Sequence, residues 1–290
     1  MRAAALALLS SIMVGVATLL MKKGIEKTNP TSAMLVVTLV GAVIFAGIAL
    51  VTIPWRYLGS DAVPFFVLAG IFSPALVRWL YFISLDRVGP SVSSSIIAAG
   101  PAFTAIIAYF LLHENLTVPI GLGTVLIVTG IVIFERQINS AGQPALRRRK
   151  DLIFPLISAL LLGFAVILRK KGLNILNSPL LGVTVGFVTS LLFYSVLCGC
   201  VRQMRASIAL KKDDILYLAA AGAFLSVSWL TLFYALSLGQ AVVVAPLSSL
   251  HPLVVVAISY FWLGNKEKIS KKTFLGTSIV VAGVLLITMG

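Results

Sequence analysis

Apolar positions run through this chain in long stretches, and polar positions are confined to short gaps between them. Ten apolar runs can be marked. They are Ala4–Met21, Ala33–Ile53, Val63–Leu85, Val92–Leu112, Val118–Phe134, Ile153–Leu168, Leu180–Val201, Ile215–Leu236, Ala241–Leu263 and Phe274–Met289. A helix rises about 1.5 Å per residue, so runs of about 20 residues match a hydrocarbon core of about 30 Å. The gaps carry turn chemistry: Asn29-Pro30, Pro54, Gly89-Pro90, Asn177-Ser178-Pro179 and Gly239. The pattern predicts ten transmembrane helices, with very short third-to-fourth and eighth-to-ninth links that make antiparallel hairpins. Composition agrees, at 59% hydrophobic and 11% charged residues. The longest polar stretch, Arg136–Asp151, is too short to bury a core, so the pattern holds no soluble domain.

The pattern is written twice. Gly15-Val-Ala-Thr-Leu-Leu-Met-Lys-Lys-Gly24 returns 148 positions later as Gly163-Phe-Ala-Val-Ile-Leu-Arg-Lys-Lys-Gly172. Pairing Leu8–Asn29 with Leu156–Asn177 gives nine identities in 22 positions, Ser10/Ser158 among them. Further on, Phe82, Leu85, Pro101, Tyr109 and Phe110 pair with Phe233, Leu236, Pro252, Tyr260 and Phe261. Gly123-Thr124, Gly130 and Glu114 pair with Gly276-Thr277, Gly283 and Glu267. Each unit therefore holds five helices. Because five is odd, the second unit enters the membrane inverted, the arrangement by which many secondary transporters alternate access to a midplane site. The units are residues 1–135 and 152–290, joined by a basic linker, 136–151.

Charge sets an expected orientation. Of 23 Lys and Arg residues, five fall on the amino-terminal side (Arg2, Arg56, Arg169, Lys170, Lys171), Arg78 lies inside a run, and 17 fall on the opposite side. The positive-inside rule places that opposite side in the cytoplasm and both termini outside the cytoplasmic membrane. The net charge of +14 then reflects topology and lipid headgroups, not nucleic acid. Cys198 and Cys200 have no matching His or Cys pair, so no metal site and no cofactor are expected.

With these features the chain resembles the drug/metabolite transporter superfamily, in its EamA-type branch of ten-helix, two-repeat transporters. The resemblance rests on Lys23-Gly24 and Lys171-Gly172, Pro101 and Pro252, Glu114 and Glu267, and the doubled Gly-Thr-x5-Gly pattern. It covers essentially the whole chain. It implies a substrate cavity between the halves, lined mainly by the first four helices of each repeat. Members of that superfamily move amino acids, sugars, nucleotide derivatives and drugs, so the resemblance names no substrate.

The acidic residues all fall in gaps or at run ends, which leaves no buried carboxylate as a proton or sodium carrier. Two ionisable side chains do lie inside runs. Arg78 sits about seven residues from the end of the third run. It is either a forked donor for a carboxylate or phosphate or a side chain that snorkels to the headgroups. Trp79 and Tyr81 are its candidate pocket neighbours. His251 sits mid-run with Ser248 one turn earlier, either bonding substrate or resting as a neutral core histidine. Ser95, in a cluster with Ser91, Ser93 and Ser94, offers a hydroxyl or packs. Pro101 and Pro252 weaken their helix centres, as a cavity or hinge needs. Lys23 and Lys171 complement helix C-termini or gate an anion. The glycines of the fifth and tenth runs read as helix packing.

The function this predicts is secondary transport, by alternating access, of a small polar metabolite with an anionic group. A passive channel or facilitator is the alternative. An integral-membrane enzyme acting on lipid is a weaker one, since His113 and Glu114 are its sole candidate pair. The partners called for are a small-molecule substrate, membrane lipids, and a coupling proton or exchanged metabolite. The chain would act as a monomer or homodimer.

Overall fold

The computed structural model describes residues 2–25, 30–88, 90–138, 149–200, 212–263 and 271–289, and all regular structure within them is helical. The basic linker's residues 139–148 and Glu267 lie outside these ranges. Ten spans result. The first repeat comprises α1 (Arg2–Ile25), α2 (Pro30–Thr52), a third span, a fourth span and α7 (Val118–Ile138). The third span joins α3 (Val63–Gly70) through a π-turn, Ile71–Leu76, to α4 (Val77–Val88). The fourth is broken into α5 (Pro90–Ile97) and α6 (Gly100–Leu112). The second repeat comprises α8 (Ile153–Ile175), α9 (Pro179–Cys200), α10 (Lys212–Leu238), a broken ninth span of α11 (Ala241–Ser248) and α12 (His251–Leu263), and α13 (Lys271–Met289). Seven spans are long and apolar enough to cross a membrane by themselves, and the fifth, ninth and tenth contribute shorter apolar helices.

The halves interdigitate; they do not sit side by side. α1 packs along α10, and α8 packs along the third span. Ser10 explains one joint: its hydroxyl donates to the Ser228 carbonyl at 3.0 Å, and the Ser228 hydroxyl returns a bond to the Ser10 carbonyl at 2.9 Å. Ser158, the repeat counterpart of Ser10, donates to the Val77 carbonyl at 3.4 Å in the other joint. The glycine pattern explains a third contact. A methyl group at Gly123 would stand 2.7 Å from the Gly283 carbonyl oxygen, and one at Gly130 would stand 2.8 Å from that of Gly276. Gly123 meets the late glycine and Gly130 the early one, so α7 and α13 run antiparallel. Equivalent helices that meet head to tail show the second repeat inverted relative to the first.

Small residues fill the interior: Ala7, Ala17, Ala33, Ala62, Ala69 and Ala75 are all buried. Large apolar side chains such as Val51, Leu192 and Leu216 point outward instead. In lipid this distribution costs nothing, because packing, not water exclusion, brings the helices together.

Two sequence boundaries differ from expectation. The sixth span runs to Ile175, about two turns beyond Leu168, so Arg169 and Lys170 belong to the helix and not to a loop. Arg169, buried within that helix, is therefore not an outer loop charge. The third span carries a π-turn in which Ser73 is extended (φ −142°, ψ 123°), a feature α10 lacks. Pro74 has no N–H, so the Gly70 carbonyl four residues back loses its helical partner. Ser190 of α9 donates to that carbonyl at 2.8 Å.

Candidate functional site

The broken spans place the site. The fourth breaks at Ala98-Ala99, before Pro101, and the ninth at Ser249-Leu250, before Pro252. These are the same positions of the two repeats. Each proline removes the hydrogen bond that would reach the carbonyl one turn earlier, Ile97 or Ser248. A half-helix end thus arrives at mid-membrane from each repeat, and between them lies a cavity of about 390 Å³. That volume is at the small end of ligand pockets, which run from roughly 300 to 1,000 Å³.

Six of the residues singled out in the sequence line this cavity: Arg78, Tyr81, Pro101, Ser248, His251 and Pro252. Pro101 is buried, while His251 and Ser248 are half-buried at the broken end of the ninth span. The Ser248 hydroxyl donates to the Ala245 carbonyl at 3.0 Å. The other four lie elsewhere. Trp79 is not among the lining residues, because one step along a helix turns a side chain by about 100°. Ser95 is buried off the cavity and its neighbour Ser94 lines it, for the same reason. Lys23 is exposed, 5.9 Å from the centre of the Tyr217 ring. Lys171 is half-buried and lines no part of the cavity.

Two arginines face the cavity. Arg78 is half-buried, and its Nη1 is shut away without a hydrogen-bond partner. Arg169, missed in the sequence because it precedes Lys170-Lys171 in a basic cluster, is 2% exposed. Its Nη2 donates to the Ser73 carbonyl at 2.7 Å, and its guanidinium lies 4.4 Å from the centre of the Trp229 ring. The extended Ser73 explains that bond, since its carbonyl points out of the helix. A usable signal existed in the repeat: Met21 is the counterpart of Arg169, so the charge is peculiar to the second copy. Arg78 and Trp229 are also counterparts, 151 apart.

The two repeats are bridged at the face where α1 begins. His113 adopts a left-handed conformation (φ 53°) at the end of α6 and turns the chain so that Glu114 reaches back into the protein. Both Glu114 oxygens accept backbone bonds at 2.9 Å, from the Ala241 and Val242 N–H groups that open α11. An anion there also complements the helix dipole. Beside this cap, Lys170 donates to the Leu236 and Gly239 carbonyls at 2.7 and 2.8 Å, closing the end of α10. Lys170 thus meets the end of α10 and not that of its own helix, α8. With both oxygens committed, Glu114 is not a free partner for His113. The lining draws on equivalent positions of both repeats: Tyr81 and Leu232, Ser94 and Ala245, and Pro101 and Pro252 all face the cavity.

A multi-pass helical bundle of two inverted repeats, with a cavity at their junction, is the architecture of a membrane transporter. Residues 1–135 and 149–289 both match the EamA-like transporter family, and the chain belongs to it. A protein of Sinorhizobium sp. described as an uncharacterized transporter in the cobO 3' region is 29% identical over 134 residues. The match covers 46% of this chain and 93% of that relative, whose whole length thus corresponds to about one repeat. An uncharacterized protein of Methanocaldococcus jannaschii, MJ1333.1, is 33% identical over 95 residues, covering 32% of this chain and 68% of its own. A solved crystal structure superposes with a TM-score of 0.79 over 99% of this chain and 96% of its own. At 14% identity that likeness shows the fold alone.

Proposed function

We propose that this protein is a secondary transporter that carries a small metabolite with an anionic group across the cytoplasmic membrane by alternating access. The observation that carries this reading is Arg78: a guanidinium in the cavity between the repeats with one nitrogen buried and unbonded. An arginine at this depth costs a few kcal/mol unless something meets it. A carboxylate or phosphate offers paired acceptors in the geometry of the guanidinium fork. His251, Ser248 and Tyr81 shape the remaining wall. Rocking the repeats would break the bonds between Glu114 and the start of α11 and open the cavity to that face. By the Lys and Arg distribution, the face bridged by Glu114 is the outer one, and both termini lie outside.

A melting screen of the purified protein in detergent tests the reading. It would run amino acids, organic acids, sugar phosphates, nucleotides and lipophilic cations beside Arg78→Ala. A ligand at a hundred times its dissociation constant adds about 2.7 kcal/mol of stability. The expected result is stabilisation of the wild type by anionic metabolites, lost in Arg78→Ala and not fully restored by Arg78→Lys. Equal stabilisation of Arg78→Ala would remove Arg78 from the site.

A further inference from the structure

We infer that the substrate is a small dianion clamped between Arg78 of the first repeat and Arg169 of the second, an inference that rests on the anion site proposed above. Both guanidinium groups line the one central cavity. No Asp or Glu is among the described residues that line it. Glu114 is committed to the start of α11, and Asp151 pairs with Arg87 at 3.3 Å, away from the cavity. Two positive charges therefore share a mostly apolar chamber at mid-membrane with no carboxylate of the protein to balance them. Buried charges persist when paired. A ligand with two negative charges balances both.

Arg169 is not explained by the fold alone. Several carbonyls of the π-turn region face the second repeat, and neutral hydroxyls meet the others. Ser190 takes that of Gly70, and the Tyr194 hydroxyl lies 3.1 Å from the Pro74 carbonyl and 3.3 Å from that of Ala75. A cation is not required to fill such a position, yet at Ser73 there is one. It makes a single described hydrogen bond while carrying a five-donor fork. Met21 at the corresponding place in the first repeat shows that the architecture itself accepts an apolar side chain there.

The separation suits a compact ligand. Arg169 is anchored on Ser73, and Arg78 is five residues further along the same span. At 1.5 Å per residue that is roughly 7–8 Å of helix. A four-carbon dicarboxylate reaches across with one group on each fork, and a single phosphate dianion can touch both. Because the arginines belong to different repeats, such a ligand ties the two halves together when bound. A monoanion would engage one half.

Calorimetric titration of the purified protein with matched pairs tests this. The pairs are succinate against butyrate and ethane-1,2-disulfonate against ethanesulfonate, with inorganic phosphate as a separate arm. The sulfonates keep their charge at all working pH values, which removes titration of the ligand as an explanation. The expected result is that the dianion of at least one pair, or phosphate, binds about tenfold or more tightly than the monoanions, the loss typical of one charge-assisted contact. Binding through the carboxylate and sulfonate pairs marks a two-ended ligand, and binding through phosphate alone marks a phosphate group. Arg169→Met, which copies the first repeat, should bring dianion binding down to the monoanion level. Equal binding within both pairs and no advantage for phosphate would overturn the dianion clamp while leaving an anion site at Arg78. Unchanged dianion binding in Arg169→Met would remove Arg169 from it. The wild-type comparison stands even if that variant does not fold. No binding of any anion, with neutral or cationic solutes binding instead, would overturn the anion reading as well.

Discussion

Ser10 and Ser158 are identical in the sequence repeat, and in the structure each bonds the third helix of the opposite repeat. Such identities were legible as a repeat but not as joints, because the pattern alone does not say which helices meet. Arg78 was legible because a charge inside an apolar run stands out. Arg169 was hidden for the opposite reason: beside two lysines it reads as the end of a helix, and α8 runs on past all three. Energetically the two arginines differ. Arg169 has a bond to a carbonyl and two aromatic faces, Trp229 and Phe233, each worth roughly 1–3 kcal/mol. Those contacts offset part of the cost of its depth. Arg78 has a nitrogen with no such offset. Glu114 makes a sharper prediction at this scale. Glu114→Gln leaves one acceptor oxygen for two N–H groups and sets an NH2 against the other. A loss of about 1–3 kcal/mol is expected, read as a lower unfolding midpoint with helix content retained. An unchanged midpoint would mean that the cap at α11 does not form.

Elements followed from the pattern where composition decides them and departed from it where tertiary partners do. Ten apolar runs became ten spans, and the prolines marked the two breaks. The π-turn of the third span was not readable, since Pro74 signals a disturbance but not its form. The form depends on Ser190, Tyr194 and Arg169, which arrive from the other repeat. The crossing of α7 and α13 depends on close backbone approach at Gly123 and Gly283. Gly123→Leu would drive a large side chain into the Gly283 carbonyl and push these helices apart. Loss of the monodisperse folded species in detergent chromatography is the expected result. A normal elution profile and melting point for Gly123→Leu would show that the α7–α13 contact is dispensable.

For the whole molecule, inversion of the repeats places one cavity at their junction, and Glu114 ties the first repeat to the second at the face where α1 begins. A bundle of ten spans has both ends on one face. The orientation proposed from the Lys and Arg asymmetry has that face outside, and it predicts that a reporter active only in the cytoplasm stays silent when fused after Gly290. Activity of that reporter would reverse the orientation and, with it, the side of the membrane on which Glu114 bridges the repeats. Family membership makes the chain a transporter by descent, while the cargo and the mechanism rest on the cavity itself. Counterflow in sealed proteoliposomes tests that centre most directly. Vesicles would be loaded with the anion that stabilises the protein best and given a trace of the same labelled anion outside. Alternating access at one central site predicts saturable uptake of label, driven by the unlabelled anion inside and lost with Arg78→Ala. Uptake that rises in proportion to concentration, without stimulation from inside, would contradict it and leave a passive pore.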